Sequence, residues 1–573
     1  MNLLTLSMAA PLSYRLLWET PPRYTYIIEI EAEPSPGSYT DFALPAWRPG
    51  RYILQNFAAA VSHFHAQDEQ GRPLTWRKVH KDTWRVLNPT RSKIRVRYHF
   101  YAHQIDAGSS YLAEDLVYFN PVNLFMYIPG RLDAACILEL PRLPKTWSVA
   151  TALPRRGERW EAQSYHHLAD SPFLAAPSLR SEKATCAGIT FYVHFWGKVE
   201  AKSLQGFTDA LCRIIQVQKE IWGGKLPLKE YHFLYLLVPF PLRHAVEHEY
   251  SAMFVLPEEG AASEEALRSF LGISAHEFFH VWNVKRLRPA ALWPYRYDQE
   301  VYTGLHWLTE GFTDYYTGIS LLRAGLMPYE EYWKKLSAEL STIENTIAYT
   351  LFSPEELSID SWHATSVYRP VHFQGSFYAA GKRVAFLLDM QLRRRSGGKI
   401  TLDSLMRYLY ERYYEKGEGM PEDAVEKAAI QLGGPEMREF FARYVYGREV
   451  PDYKELLQEL PIQVAVKKQP WEGWGQVGIV RWRAEGEGIR VEEVLPGSAA
   501  DEAGIGPGDF LLLVEGTPAR NIPTDFWQSH RQATLTWNSS GLTREGQVLL
   551  PSKPSAWRME ITLLPTEPTF LLK

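Results

Sequence analysis

The run Ser274-Ala275-His276-Glu277-Phe278-Phe279-His280 carries an H-E-x-x-H motif inside a helical pattern. His276 and His280 are about one helical turn apart, so both imidazoles leave the same face. At that spacing two neutral imidazoles can grip one Zn²⁺ and leave room for further ligands. Glu277 is rotated off that direction. It is placed to act on a zinc-bound water as general base, not to ligate. A solvated surface helix can carry the same short pattern by chance. The flanks argue against that: Ile273, Phe278, Phe279, Val281 and Trp282 predict a largely buried helix, and a buried His-Glu-His set needs partners.

Working outward, Leu305 to Tyr316 reads as a second buried helix and offers Glu310 as third ligand. His306 is the rival on that face, but two His and one carboxylate form the usual open catalytic set. Asp314, one turn beyond Glu310, can accept the second N–H of a ligating His. Upstream, His244-Ala245-Val246-Glu247-His248-Glu249 follows a strand-like run. Glu247 and Glu249 offer either a fixed charge that captures an α-ammonium or a solvated acidic turn. Tyr378 starts another helical stretch, as an oxyanion donor or an ordinary core tyrosine. The residues alone leave both choices open.

The chain has 573 residues, too many for one domain. Its net charge of −4 gives no sign of a nucleic-acid or anionic-membrane partner. Three scattered cysteines do not make a disulfide framework. Met1 to Ala10 carries no Lys or Arg and makes a poor signal peptide. No apolar run is long enough to span a bilayer. Cytoplasm is the default expectation.

Four domains are expected. Residues 1–185, with alternating strands such as Tyr24 to Glu31 and Ile94 to Phe100, predict a β-sandwich-like domain. Residues 186–325 read as an α/β core around the motif. Residues 326–462 read as amphipathic helices, from Tyr329 to Thr342 through Glu436 to Tyr446, completing the cleft. Residues 463–573 are a terminal β module. There Val494-Leu495-Pro496-Gly497-Ser498-Ala499-Ala500 and Gly504-Ile505-Gly506-Pro507-Gly508-Asp509-Phe510 resemble a PDZ domain. PDZ domains hold a peptide strand and its C-terminal carboxylate. Gly478 and Ile479, in the loop Gly475 to Ile479, are the candidate carboxylate site.

The whole resembles the glycyl aminopeptidase family of gluzincin zinc metallopeptidases with a C-terminal PDZ domain. The resemblance rests on Leu44 to Tyr52, Lys81 to Val86, Asn120 to Gly130, His276 to Pro289 and Glu310 to Tyr316. It implies a multi-domain α+β fold with a thermolysin-like core. It implies one Zn²⁺ per chain on His276, His280 and Glu310, with Glu277 as base and Tyr378 on the tetrahedral intermediate. It implies that Glu247, with His248, receives the substrate amine, and that peptides losing a small N-terminal residue such as Gly or Ala are the substrates. His244-Ala245 stand where the family has glycines, and Ala380 where relatives often have Lys. The expected function is a zinc aminopeptidase acting through a Glu-activated zinc-bound water on peptides with a free N-terminus. A C-terminal peptide at the PDZ groove is a second expected partner. The alternatives are a zinc endopeptidase fed by the PDZ domain, or a non-catalytic PDZ adaptor. Oligomeric state is left open.

Overall fold

The computed structural model describes residues 10–198, 201–258, 264–550, 557–567 and 569–572. The stretch Met1 to Ala10 read above for a leader therefore lies, but for Ala10, outside them. Two compact units divide the chain: Met1–Thr303 with Tyr316–Leu326 and Met406–Pro421, and Gly304–Tyr315 with Met327–Leu405 and Glu422–Lys573.

In the first unit the alternating stretches become strands Thr25–Ala32 and Ile94–Tyr101, paired antiparallel. Tyr26 sits opposite Phe100, Ile28 opposite Tyr98 and Ile30 opposite Val96, and all six are buried. They belong to a seven-stranded sheet accompanied by four- and three-stranded sheets.

The motif stands on a five-stranded sheet of β1 (Arg180–Cys186), β2 (Ile189–Trp196), β3 (Glu230–Val238), β4 (His244–Glu247) and β5 (Ser251–Pro257). The spatial order is β1-β2-β3-β5-β4. β2, β3 and β5 run parallel, and the edge strand β4 is antiparallel to β5. Strand β3 is buried on both sides, as a parallel strand should be. Leu234 and Leu236 join Val246, Met253 and Val255 in a cluster with Ala107, Leu116 and Tyr118 of the N-terminal domain. The opposite side chains, Tyr231, Phe233 and Tyr235, face the motif helix α2 (Glu264–Phe279), which packs on α1 (Ala201–Ile221). Phe278 lies 4.9 Å from the Tyr231 ring, and Tyr235 OH is 2.7 Å from Ser274 Oγ. Gln218 of α1 donates to the Ala275 carbonyl, 2.7 Å. Cys186 and Cys212 are disulfide-bonded, tying β1 to α1. Spacing in the sequence did not reveal that pair.

In the second unit, Leu305 to Tyr316 is not the single helix expected. It forms α3 (His306–Thr309) and α4 (Gly311–Arg323), with Glu310 at the break. Helical hydrogen bonds continue on both sides of it, Glu310 N–H to the His306 carbonyl (3.0 Å) and Asp314 N–H to the Glu310 carbonyl (2.8 Å), and a backbone-to-backbone contact lies beside it. Gly311 meets Gly381 so closely that a Cβ on Gly311 would fall 2.4 Å from the Gly381 Cα. Gly381 lies in α6 (Phe377–Ser396), which follows α5 (Tyr329–Glu344) and some short helical turns. Helix α6 is capped by Ser376, which accepts the Ala379 N–H, and by Gly397 at φ 60°. A Cβ on Gly381 would fall 2.0 Å from the Trp307 carbonyl oxygen. Gly381→Ala is therefore expected to destabilise the protein by roughly 1–3 kcal/mol, read as a lowered midpoint in urea unfolding.

The C-terminal module pairs β6 (Ile462–Pro470) with the last strand, Trp557–Pro565. A separate sheet is built on β7 (Ile479–Glu485), β8 (Gly488–Val494), β9 (Phe510–Val514), β10 (Gln532–Ser539) and β11 (Leu542–Leu549), with β12 then being Trp557–Pro565. β7 lies at one end of that order. Gly478, at φ 96°, precedes it, and a Cβ there would strike Ser498 Oγ at 2.0 Å. Helix α5 lies along β12. Ser337 Oγ accepts the Leu563 N–H (3.0 Å) and Ser341 Oγ the Ile561 N–H (2.9 Å). Asn345 both accepts the Met559 N–H (2.8 Å) and donates to the Met559 carbonyl (2.7 Å). The chain's end lies on α6: Arg393 donates to the Phe570 carbonyl, 3.2 Å, and Leu571 is buried. No helix among the described residues is long and apolar enough to cross a membrane.

Candidate metal centre and amine pocket

Helix α2 ends at Phe279, and the chain turns immediately after the motif. The turn sets the ligand tautomer. His280 Nδ1 lies 2.6 Å from the Asn283 carbonyl oxygen, to which it can only donate, so Nε2 keeps its lone pair. For His280 a backbone carbonyl thus fills the part that the sequence suggested for Asp314. The His276 and His280 rings are 4.8 Å apart. His280 is 1% exposed and Glu277 6%. His276, His280 and Glu310 offer potential ligand atoms that all lie within 4.8 Å of one another, and so do Glu247, Glu277 and His280. Two imidazoles and a carboxylate are the donor set that suits zinc with a position left open, so the residues fit the ion that the sequence implies.

Glu310 is 2% exposed. Its carbonyl accepts the Asp314 N–H at 2.8 Å, which places Asp314 in the first turn of α4. His306, the rival ligand, is fully buried, with its ring 5.5 Å from Phe377 and Nδ1 3.5 Å from Thr309 Oγ1. Burial pushes it down to about 4. It belongs to neither ligand group. Tyr378 is half-buried in the first turn of α6, stacked on Phe377 at 4.8 Å. The Gly311–Gly381 contact fixes that turn against the Glu310 segment, since Tyr378 is one turn before Gly381.

Glu247 ends the edge strand β4 and is 4% exposed. Its carboxylate lies against Gly50, where a Cβ would fall 2.4 Å from Oε2. Only glycine leaves that space. Glu249, the other acidic candidate, is turned away: its Oε1 lies 3.5 Å from Arg286.

Sequence reading missed what holds this corner. Asp170, from the N-terminal domain, is a hub. His248 Nδ1 and Lys285 Nζ each lie 3.0 Å from its Oδ1, and the Glu249 N–H donates to Oδ2 at 2.8 Å. Burial pushes the Asp170 carboxyl up, but the Lys285 charge and the His248 hydrogen bond outweigh it and hold it far below the usual range. Lys285 gave a signal, since it lies in the motif's long downstream run. Asp170 gave none, because its partners are 78 and 115 positions away.

Residues 13–177 match the family model for the peptidase M61 N-terminal domain, residues 269–384 that for M61 glycyl aminopeptidase, and residues 463–534 that for the PDZ domain. No match was found among curated proteins. Among solved structures, an aminopeptidase N family protein from Idiomarina loihiensis superimposes with a TM-score of 0.86 at 24% identity, covering 98% of this chain and 99% of that one. An M1 zinc metallopeptidase variant from Deinococcus radiodurans, bound to a Tyr-Ser-Ala substrate, gives a TM-score of 0.50 at 15% identity over 77% of this chain and 95% of that one. These likenesses establish the fold. With both M61 domain models matched in order and a PDZ domain after them, the chain is a zinc metallopeptidase similar to the M61 glycyl aminopeptidases.

Proposed function

We propose that this enzyme removes single residues from the free N-terminus of peptides, with small residues such as Gly and Ala preferred on the family's pattern. The observation that carries the reading is Glu247. Its carboxylate is almost wholly buried, Oε1 has no hydrogen-bond partner, and its oxygen lies within 4.8 Å of the polar atoms of Glu277 and His280. A buried carboxylate without a partner is costly. An α-ammonium supplies three donors for that oxygen. Anchoring the amine this close to the catalytic base sets the cut one residue in.

One Zn²⁺ per chain would be held by His276, His280 and Glu310, where it would polarise the scissile carbonyl and make water acidic enough to be deprotonated near neutral pH. Glu277 takes the proton of the attacking water and hands it to the leaving amine. Tyr378 donates to the developing oxyanion, an effect worth roughly 3–4 kcal/mol for a good donor. Asn283 orients His280, and Asp314 takes the same part for His276. Asp170 fixes the His248 ring, which lies beside the amine. At the PDZ domain, the loop carrying Gly478 and Ile479 receives the C-terminal carboxylate of a peptide partner, with the Gly478 N–H itself held by the Gly475 carbonyl at 3.0 Å.

The test is a peptide series beginning with Gly, Ala or Leu, each with a free or acetylated N-terminus, run before chelation, after it, and after zinc is restored. Zinc-dependent cleavage of the free-amine peptides alone is expected. Cleavage of acetylated peptides at similar rates would favour the endopeptidase. Glu247→Ala is expected to raise KM for free-amine peptides at least about tenfold, the loss of one charge-assisted contact, with metal content by mass spectrometry unchanged.

A further inference from the structure

The corner that holds the amine anchor brings together more ligand atoms than one zinc ion uses. Glu247, Glu277 and His280 offer potential ligand atoms that all lie within 4.8 Å of one another, and all three side chains are buried. The sheet explains why they converge. Glu247 of β4 pairs with Ala252 of β5, and Ala252 pairs with Phe233 of β3, so these three side chains leave one face. That is the face α2 covers, since the Phe233 ring lies 5.8 Å from that of Phe278. Glu277 is the neighbour of Phe278 on the same helix. The Glu247 carboxylate is thus turned towards the motif, with Gly50 against it.

Two buried carboxylates this close repel each other, and a cation between them relieves the repulsion. Glu247 Oε1 is buried with no hydrogen-bond partner. The buried cations Arg48 and Lys285 feel the Glu247 charge, but among the described residues neither lies within ion-pair distance of it. In turnover the substrate's α-ammonium fills the gap, on the reading above. A divalent metal ion is the other cation with suitable chemistry.

The donor set ranks the two ions. His280 has one lone pair to give, on Nε2, because Nδ1 donates to the Asn283 carbonyl. The first ion takes it. A second ion is left with the Glu247 and Glu277 oxygens, which suit Zn²⁺ at about 2.0–2.2 Å, and with solvent to complete its shell. Without an imidazole it binds more weakly than the first and fills only at excess zinc.

We propose that Glu247 and Glu277 form a second, weaker Zn²⁺ site, and that an ion there excludes the substrate's ammonium, so that excess zinc inhibits in competition with the free amine. The competition rests on the aminopeptidase reading above; the ion site does not. The test titrates Zn²⁺ into the zinc-loaded enzyme up to about a hundredfold excess and takes two readouts. Equilibrium dialysis with mass spectrometry is expected to find one ion per chain more in the unaltered enzyme than in Glu247→Ala, since any ions on exposed histidines are common to both. Cleavage of an alanyl peptide by the unaltered enzyme is expected to show KM rising about tenfold or more with kcat unchanged. In Glu247→Ala zinc should no longer raise KM. Equal ion counts in the two proteins overturn the proposal. A fall in kcat at constant KM in the unaltered enzyme overturns it too, leaves the aminopeptidase reading standing, and decides even where the variant fails to fold. If no free-amine peptide is cut, the aminopeptidase reading falls, and the ion count alone still decides the site.

Discussion

Glu277→Gln is expected to retain its zinc and to lose about 10²- to 10⁴-fold in kcat, the range ascribed to a positioned general base. The substitution keeps the shape of a side chain that is 6% exposed, so the helix has no reason to move. It removes only the capacity to take a proton. His276, His280 and Glu310 group without Glu277, so metal content should not change. Turnover of an alanyl peptide and zinc by mass spectrometry should be measured on one preparation. Turnover within threefold of the unaltered enzyme would remove Glu277 from the base's role.

Lys285→Met should cost about 1–3 kcal/mol of stability, because it leaves the Asp170 carboxylate, only 21% exposed, with its main counter-charge gone. Adding Asp170→Asn should recover part of that loss. The double-mutant cycle would then be clearly non-additive, as expected for directly bonded groups. Urea unfolding of the two single variants and the double variant measures it. The pH dependence has a definite sign. Asp170 is held below its unfolded value, so its contribution is present above about pH 4 and lost as pH falls further. Against a desolvation that lowers it, Asp170 raises Lys285, whose contribution is present below about pH 10 and lost as pH rises beyond. Through the neutral range both act together. Strictly additive single effects would mean that the three-way contact at Asp170 does not hold this corner.

Local patterns made much of the architecture legible. Alternation in Thr25–Ala32 and Ile94–Tyr101 placed the same side chains on one face that the sheet buries. Tyr378, read as the start of a helical stretch, lies in the first turn of α6. What sequence could not reach depends on contacts between distant backbones. The close approach of Gly311 to Gly381, beside Glu310, is such a contact, and no helix propensity encodes it. Glu247 and Glu249 are indistinguishable as letters. They differ because one lies against a glycine and the other faces Arg286.

The three side chains along α5 act as a vernier between two lattices. Four helical residues advance about 6.0 Å, whereas two strand residues advance about 6.7 Å. The scales slip by about 0.7 Å per rung, and a fourth rung would be out by about 2 Å. The match is therefore good over a short window only. Its last rung is the longer Asn345, which offers a donor and an acceptor as a strand's own amide would. A one-residue deletion between Met559 and Leu563 would put the rungs on its two sides out of parity with each other. The mounting of the terminal strand should thus tolerate substitution on its outward side chains far better than any change in its length.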